Sequence, residues 1–364
     1  MAGRPEGGVQ ARRLSEGVGS TGRQPLRFFT NGNFYTPDGR ARFIPIHPKS
    51  GTRTTPDFPL ILNTGRIRDH WHTMTRTGKS PRLSQHIAEP FIEIHPTDAR
   101  RCGIGDADIV RVESPRGTAL VRALVTARQR PGSVFAPMHW TDQFASRGRL
   151  DALIAPLTDP ISGQPALKHV AVRIEKFAAK AFGFAVTRRL PEVIAADYWA
   201  VARCKGGWRV ELAVADDEVD WMAFAVALFG ASPTAEMLAY HDRDAGQHRM
   251  AAFDGAQLSG ALFVAPGPVA VSRGWAAQQL EALHAGPRQR FRVVAGRAGA
   301  DRPDFGAIVC SCFGIGVNQI TVAAASGRET VETIGETLKA GTNCGSCRAE
   351  IRAILAAGRI QAAE

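Results

Sequence analysis

LILNTGRIRDHWHTMTRTG, residues 60–78, opens with a compact apolar strand, Leu60-Ile61-Leu62, that runs directly into Asn63-Thr64-Gly65-Arg66. A strand ending in Thr-Gly presents backbone N–H groups at its tip, and the missing glycine side chain admits an anion or a flat ring closely. The next residues bring two histidines (His70, His72), the indole of Trp71, the hydroxyls of Thr73, Thr75 and Thr77, and the guanidinium groups of Arg66, Arg68 and Arg76. Such a segment reads either as a polar loop with Trp71 tucked into a core or as a cradle for an anionic, partly aromatic ligand. A metal held by His70 and His72 is the weaker reading, because no carboxylate or thiol stands at ligand spacing.

Working outward, Phe91–Ile94, Ile109–Val112 and Ala119–Val125 alternate apolar and polar residues with period two. Their separators, Ser-Pro-Arg-Gly at 114–117 and Arg-Pro-Gly at 130–132, are turn formers. His95-Pro96-Thr97-Asp98-Ala99 begins a short helix with Thr or Asp as the expected cap, ended by Gly103 or Gly105. Many short strands with tight turns predict a β-barrel from about residue 58 to 176. Upstream, residues 28–48 alternate around Asn-Gly and Asp-Gly and predict a β-hairpin. Downstream, the chain becomes alanine-rich. A helix is expected over Val219–Phe229, with strands at Met250–Phe253 and Ala261–Val264 about an Asp-Gly turn. From Asp304 the pattern is helical except around the cysteines, with Gly341 and Gly358 as stop signals.

The chain has 364 residues, 44% hydrophobic and 22% charged, enough for two or three domains. That composition excludes a disulfide-stapled miniprotein and a wholly disordered chain. No apolar run approaches the roughly 18–20 residues needed to span a bilayer, so no membrane partner is expected. Arg12-Arg13 is followed by Leu-Ser-Glu-Gly rather than an apolar segment, which fails as a secretory signal and predicts a disordered tail over 1–24 in a cytoplasmic protein. Forty-five Lys+Arg against 34 Asp+Glu give a net charge of +11, with Lys scarce. Arginine forks suit phosphates and oxyanions. The basic residues are spread out and Tyr numbers three, so nucleic acid ranks below a nucleotide cofactor or a small oxyanion as partner.

Four of the six cysteines form two close pairs. Cys310-Ser-Cys312 is separated by 31 residues from Cys344-Gly-Ser-Cys347, which opens into a helix over Arg348–Ala357. Four thiolates hold either a tetrahedral zinc or a two-iron cluster. Zinc ribbons use two Cys-x-x-Cys knuckles, whereas the first pair here is Cys-x-Cys. The helix start would face its N–H groups and positive dipole end toward the sulfurs. Gly314 and Gly316 would let the backbone come close beside the first pair. Cys102 and Cys204 stand alone and read as small buried apolar residues.

VCSCFGIGVNQI (309–320) and GTNCGSCRAEI (341–351) resemble the helical 2Fe-2S domain of bacterioferritin-associated ferredoxin, also appended to certain nitrite and nitrate reductases. The resemblance implies a 2Fe-2S cluster on Cys310, Cys312, Cys344 and Cys347, with zinc as the alternative. The stretch from Phe58 to Phe177 resembles the molybdopterin-dinucleotide-binding domain of the molybdenum oxidoreductases, in LILNTGR, in EPFIEIHPTDA (89–99), in FAPMHW (135–140) and in DPISGQPALK (159–168). It implies a double-psi β-barrel. Thr64, Gly65, Arg66, His70, Trp71, His72 and Thr73 would cradle the cofactor, His139 or Trp140 would lie along it, and Lys168 would pair with its polar edge. Asp151 departs from the expected Asn, and a carboxylate there would repel pyrophosphate.

The order of these modules is similar to the C-terminal end of bacterial assimilatory nitrate reductase catalytic subunits. The architecture implied is multidomain α+β: the tail at 1–24, the end of a preceding catalytic region at 25–56, the barrel at 57–178, a middle α+β domain at 179–303 and the helical cluster domain at 304–360. The implied cofactors are the 2Fe-2S cluster and molybdenum bis(molybdopterin guanine dinucleotide), with a 4Fe-4S cluster only in an upstream region that this sequence does not contain. The implied partners are nitrate, a flavoprotein reductase or a ferredoxin or flavodoxin donor, and a separate N-terminal half if the enzyme is split. On this reading the chain relays electrons for reduction of nitrate to nitrite and is inactive alone. The alternatives are a stand-alone 2Fe-2S electron-transfer protein with a vestigial barrel, and the equivalent part of a formate dehydrogenase-like oxidoreductase.

Overall fold

A computed structural model describes residues 29–45, 53–160, 162–297, 305–310, 313–343, 345 and 347–361. The tail expected at 1–24 lies outside the described residues, as do Cys312 and Cys344. The chain divides into two compact units, residues 1–50 and 51–364.

In the first unit, residues 29–45 form hydrogen-bonded turns and no strand. The Gly32 N–H donates to the Phe29 carbonyl, Phe34 to Gly39, and Gly39 to Thr36. The hairpin expected over 28–48 is therefore corrected across this stretch. Its aromatic side chains are left outside, Tyr35 85% and Phe43 98% exposed, and a two-stranded ribbon without a packed face is marginal in water.

In the second unit six strands close into a barrel in the order β1-β5-β2-β4-β3-β6. They are β1 (Leu60–Gly65), β2 (Phe91–Ile94), β3 (Ile109–Ser114), β4 (Gly117–Val125), β5 (Ser133–Pro137) and β6 (Val170–Lys176). β1 pairs in parallel with β5, and β2 with β4; the remaining neighbours are antiparallel. The period-two residues meet inside: Leu60, Leu62, Ile92, Ile94, Val110, Val112, Val121 and Val134 are all essentially buried. Each such side chain contributes roughly 1.5–3 kcal/mol of transfer free energy. The helix α1 (Pro96–Arg101) is capped by neither Thr nor Asp. The His95 ring nitrogen accepts from the Thr97 N–H at 3.1 Å. Asp98 is buried and accepts from the Gly132 N–H at 2.7 Å instead, tying the helix to the start of β5.

A second, antiparallel sheet follows, made of β7 (Ala181–Thr187), β8 (Tyr198–Cys204), β9 (Gly207–Val214), β10 (Glu236–Asp242), β11 (Gln247–Asp254) and β12 (Gln257–Ala265), in the order β10-β11-β12-β7-β9-β8. It carries α2 (Trp221–Phe229), α3 (Arg273–Gln279) and α4 (Pro287–Ala295). The α2 helix ends where expected but starts two residues later, at Trp221, because Asp220 caps it by accepting from the Met222 and Ala223 N–H groups, both at 3.0 Å. One buried cluster joins this sheet to the outside of the barrel. Met74, Trp140, Phe144 and Phe177 share it with Phe184, Tyr198, Phe253 and Phe263.

The last segment has its own small core of Val309, Cys310, Ile320, Val331, Ile334, Cys347 and Ile351. It contains a short ladder of β13 (Ile308–Cys310) with β14 (Ile315–Gly316), then α5 (Val317–Ala325), α6 (Val331–Leu338) and α7 (Arg348–Gln361). Gly341 adopts φ +82°, consistent with its expected role as a break. Gly358 does not stop a helix: it lies inside α7, where an exposed glycine costs only about 1 kcal/mol.

Candidate functional site

Because β1 and β5 run in parallel, their C-terminal ends emerge side by side, Thr64 opposite Ala136 and Gly65 opposite Pro137. This brings the loop after β1 against the loop carrying His139 and Trp140. Thr64 is buried, and its hydroxyl donates to the Leu167 carbonyl at 2.5 Å. The Lys168 ammonium returns to the same residue, donating to the Thr64 carbonyl at 2.8 Å. A Cβ on Gly65 would lie 2.8 Å from the Phe135 ring, so only glycine lets β1 pass the aromatic side chain of β5. Three segments therefore meet at one strand end, the first of them more than seventy residues from the other two in sequence.

His139 holds the loop from below. Its Nε2 accepts the Ile67 N–H at 3.2 Å, which requires the neutral imidazole. Burial pushes its pKa down to about 4, helped by the neighbouring charges of His70 and Arg66. His70 is buried too, bonded at Nε2 to the Ile87 carbonyl (2.9 Å) and at Nδ1 to the Thr77 hydroxyl (3.2 Å). Burial lowers its pKa as well. Trp140 stands edge-on to His70, ring centroids 5.4 Å apart, and its buried Nε1 has no hydrogen-bond partner among the described residues. Arg66, Trp71, His72, Thr73 and Lys168 are exposed. The sequence-predicted residues thus separate into a buried layer (Thr64, Gly65, His70, His139, Trp140) and an exposed layer above it.

The exposed layer is displayed on unusual backbone. His72, Thr73 and Met74 all have positive φ, 49°, 50° and 60°. Left-handed conformation costs a non-glycine residue roughly 1–2 kcal/mol. Buried Met74 anchors the turn, and its N–H donates to the Trp71 carbonyl at 3.0 Å. The side chains facing out are a guanidinium, an ammonium, an indole, an imidazole and a hydroxyl, a donor set for an anion with a flat ring. Asp151, the residue that departs from the expected Asn, has a cation beside it. That carboxylate is exposed and pairs with Arg149 at 3.3 Å.

Of the four predicted metal ligands, Cys310 and Cys347 fall within the described residues, and both are buried. They come from opposite ends of the motif and their thiols lie in hydrogen-bond contact. Burial, followed by the neighbouring Cys310, pushes the Cys347 pKa up to about 11. Two adjacent buried thiols of this kind ionise only against a cationic centre, so the donor set fits a thiophilic metal or an iron–sulfur cluster. Of the two glycines expected to allow a close approach, Gly316 does, since a Cβ there would collide with the Phe305 carbonyl, whereas Gly314 has open space about it and is used for its positive φ of 67°. Cys102 and Cys204 stand outside the motif, although Cys204 lines a cavity that Phe305, Ile308 and Gly314, beside the first cysteine pair, line as well. Burial raises both thiols, Cys204 to about 11, as for inert apolar cysteines.

Two features were missed. Arg68 sits within the residue 66–78 stretch, yet its side chain turns toward the cysteine site. Its Nη2 donates to the Val309 carbonyl at 2.8 Å. Nothing in a linear reading pairs residues 241 apart. The second is a cavity of about 680 Å³ lined by Glu89, Arg209, Glu211, Arg273, Phe305 and Ile308, among others. Around it Arg273 grips Glu211 with two 2.9 Å bonds, Arg122 pairs with Glu89 at 2.9 Å, and the Tyr198 hydroxyl donates to Glu89 at 2.6 Å.

Residues 60–171 match the family model of the molydopterin dinucleotide binding domain, and residues 308–357 that of the BFD-like 2Fe-2S binding domain. The chain is 37% identical over 340 residues to a nitrate reductase of Klebsiella oxytoca, covering 89% of this chain and 37% of that protein. It is 40% identical over 154 residues to the periplasmic nitrate reductase of Desulfovibrio desulfuricans, covering 42% of this chain and 19% of that protein. A formate dehydrogenase alpha subunit of Methanocaldococcus jannaschii is 36% identical over 144 residues, 39% of this chain and 21% of that protein. The chain spans well under half the length of these curated relatives. It carries a molybdopterin dinucleotide-binding domain and a BFD-like 2Fe-2S domain, and the Klebsiella oxytoca nitrate reductase matches it over most of its length.

Proposed function

We propose that this chain, with its molybdopterin dinucleotide-binding and BFD-like 2Fe-2S domains, is the C-terminal portion of a molybdenum-dependent assimilatory nitrate reductase. It binds molybdopterin guanine dinucleotide and relays electrons to nitrate, taking them from a flavoprotein reductase or from a ferredoxin or flavodoxin, in the cytoplasm. The observation that carries this reading is the similarity to the Klebsiella oxytoca nitrate reductase, which runs through both modules rather than the barrel alone. The formate dehydrogenase similarity, 39% of the chain, is short enough to lie within the barrel and its neighbourhood, so that alternative rests on less. The molybdenum ligand and the 4Fe-4S cluster belong, on this reading, to an upstream region or a separate N-terminal half.

When bound, the molybdenum cofactor supplies two-electron oxygen transfer from nitrate, and the cluster supplies one-electron storage. The chain's residues position these groups. Arg66 and Lys168 meet the anionic dinucleotide, Trp71, His72 and Thr73 flank it, and Thr64 and Gly65 fix the strand end. His139, neutral at physiological pH, holds the Ile67 amide, while His70 and Trp140 support the loop from the core. Cys310, Cys312, Cys344 and Cys347 hold the cluster. The net charge of +11 suits both a phosphate-bearing cofactor and an acidic electron donor.

The test is cofactor retention. The chain and its Arg66→Met/Lys168→Met double variant are purified from a host that makes the dinucleotide, and guanine nucleotide and molybdenum are assayed. Loss of at least about tenfold in retained nucleotide is expected, since each charge-assisted bond contributes about 1.5–3 kcal/mol. Equal retention contradicts the assignment of these two residues.

A further inference from the structure

We propose that Arg68 is a positioning residue that fastens the cluster site to the dinucleotide loop and raises the reduction potential of the cluster held there. The inference rests on the proposed function for the presence of the cluster. It goes beyond that reading in assigning how the two modules are coupled.

The geometry is specific. Arg68 leaves the loop between Ile67, whose amide is held by His139, and Asp69, whose backbone has φ +71°. Its side chain is 16% exposed. Nη2 donates to the carbonyl of Val309, the residue before Cys310, at 2.8 Å. The same nitrogen is 3.4 Å from a carboxylate oxygen of Glu350, in the first turn of α7 and three residues beyond Cys347. Nε bonds Asp69 at 3.0 Å. His86, in the segment before β2, meets the same Glu350 oxygen at 3.1 Å and stands 3.4 Å from Asp69. One guanidinium therefore touches residues that flank the motif on both sides, Val309 before Cys310 and Glu350 after Cys347, and belongs to the loop that follows β1.

The electrostatics give the direction. The oxidised cluster takes one electron from a flavoprotein or ferredoxin donor, which is oxidised by one electron. No proton moves at Arg68, and two such transfers serve one nitrate. Reduction adds negative charge beside a cation that is poorly screened because it is mostly buried. Arg68 also offsets Asp69 and Glu350, so its removal takes a cation from beside two carboxylates, the second of them in the first turn of the helix that follows Cys347. Hydrogen bonds and charges next to ligand sulfurs are established means of setting cluster potential.

The experiment uses the whole chain, purified without oxygen, as wild type, Arg68→Met, Arg68→Lys and Glu350→Gln. Iron content and a redox titration followed by visible absorbance and electron paramagnetic resonance are measured. All four are expected to keep about two irons per chain. At the wild-type midpoint, Arg68→Met is expected to show a reduced-to-oxidised ratio about tenfold lower, 59 mV for one electron. Arg68→Lys should recover most of the difference, and Glu350→Gln should shift the ratio the opposite way. Opposite shifts from two partners of one contact are not the signature of general loosening. Retained iron with an unchanged midpoint in Arg68→Met and Glu350→Gln overturns the inference and leaves the cluster assignment standing. Wild-type chain without iron overturns both.

Discussion

His139 shows how a single residue serves the site. Its Nε2 must be unprotonated to accept the Ile67 amide, and its pKa of about 4 keeps it so. Above pH 6.5 the folded and unfolded states are both neutral at this ring. Between pH 6.5 and 4 the unfolded chain takes up a proton that the folded one refuses, so stability falls with pH across that window, by up to about 3 kcal/mol. His139→Gln offers an oxygen to the same amide and cannot titrate. Its stability is expected to fall less than that of the wild type between pH 6.5 and 4, by denaturant midpoint at each pH; identical profiles would count against the buried neutral histidine. At this scale the sequence was partly legible. Thr64, Gly65 and Lys168 could be read as one site from their motif, and the structure joins them. That Arg66 faces outward while Arg68, two residues on, turns toward Val309 was not legible, because alternation along an irregular loop has no fixed period.

At the scale of elements, period-two segments were the most readable. Each of the strands expected at Leu60, Phe91, Ile109 and Ala119 lies within a barrel strand, since an interior packed on one face demands alternation. The hairpin at 28–48 had the turn residues but no packed face, and local turn chemistry alone does not make a strand. Gly358 failed as a stop because a stop needs a tertiary reason that one residue does not supply. The ion-pair cluster between β9 and α3 was invisible in sequence, its members being scattered from Glu89 to Arg273. Arg209 is buried there, donating to the Ser84 carbonyl at 2.8 Å, with Glu211 as its strongest favourable charge. Glu211→Gln leaves Arg209 and Arg273 without it. A loss of about 3–5 kcal/mol is expected in chemical unfolding. A loss under about 1 kcal/mol would contradict Glu211 as the counter-charge of these cations.

For the whole molecule, no helix among the described residues is long and apolar enough to cross a membrane. Three hydrophobic clusters organise residues 51–364, and the largest bridges the barrel and the second sheet. That bridging was not legible, because Trp140 and Phe144 look like members of the barrel's loops until the second sheet covers them. The two modules at either end were legible as motifs, and their coupling through Arg68 was not. The claim on which the rest depends is that the cysteine site holds iron. The measurement that tests it most directly is the iron, sulfide and zinc content of the chain purified without oxygen, beside Cys347→Ser. About two irons and two sulfides per wild-type chain, with little zinc and with the visible chromophore abolished in Cys347→Ser, is the predicted result. One zinc per colourless chain would contradict it and leave a zinc-stabilised interaction protein in its place.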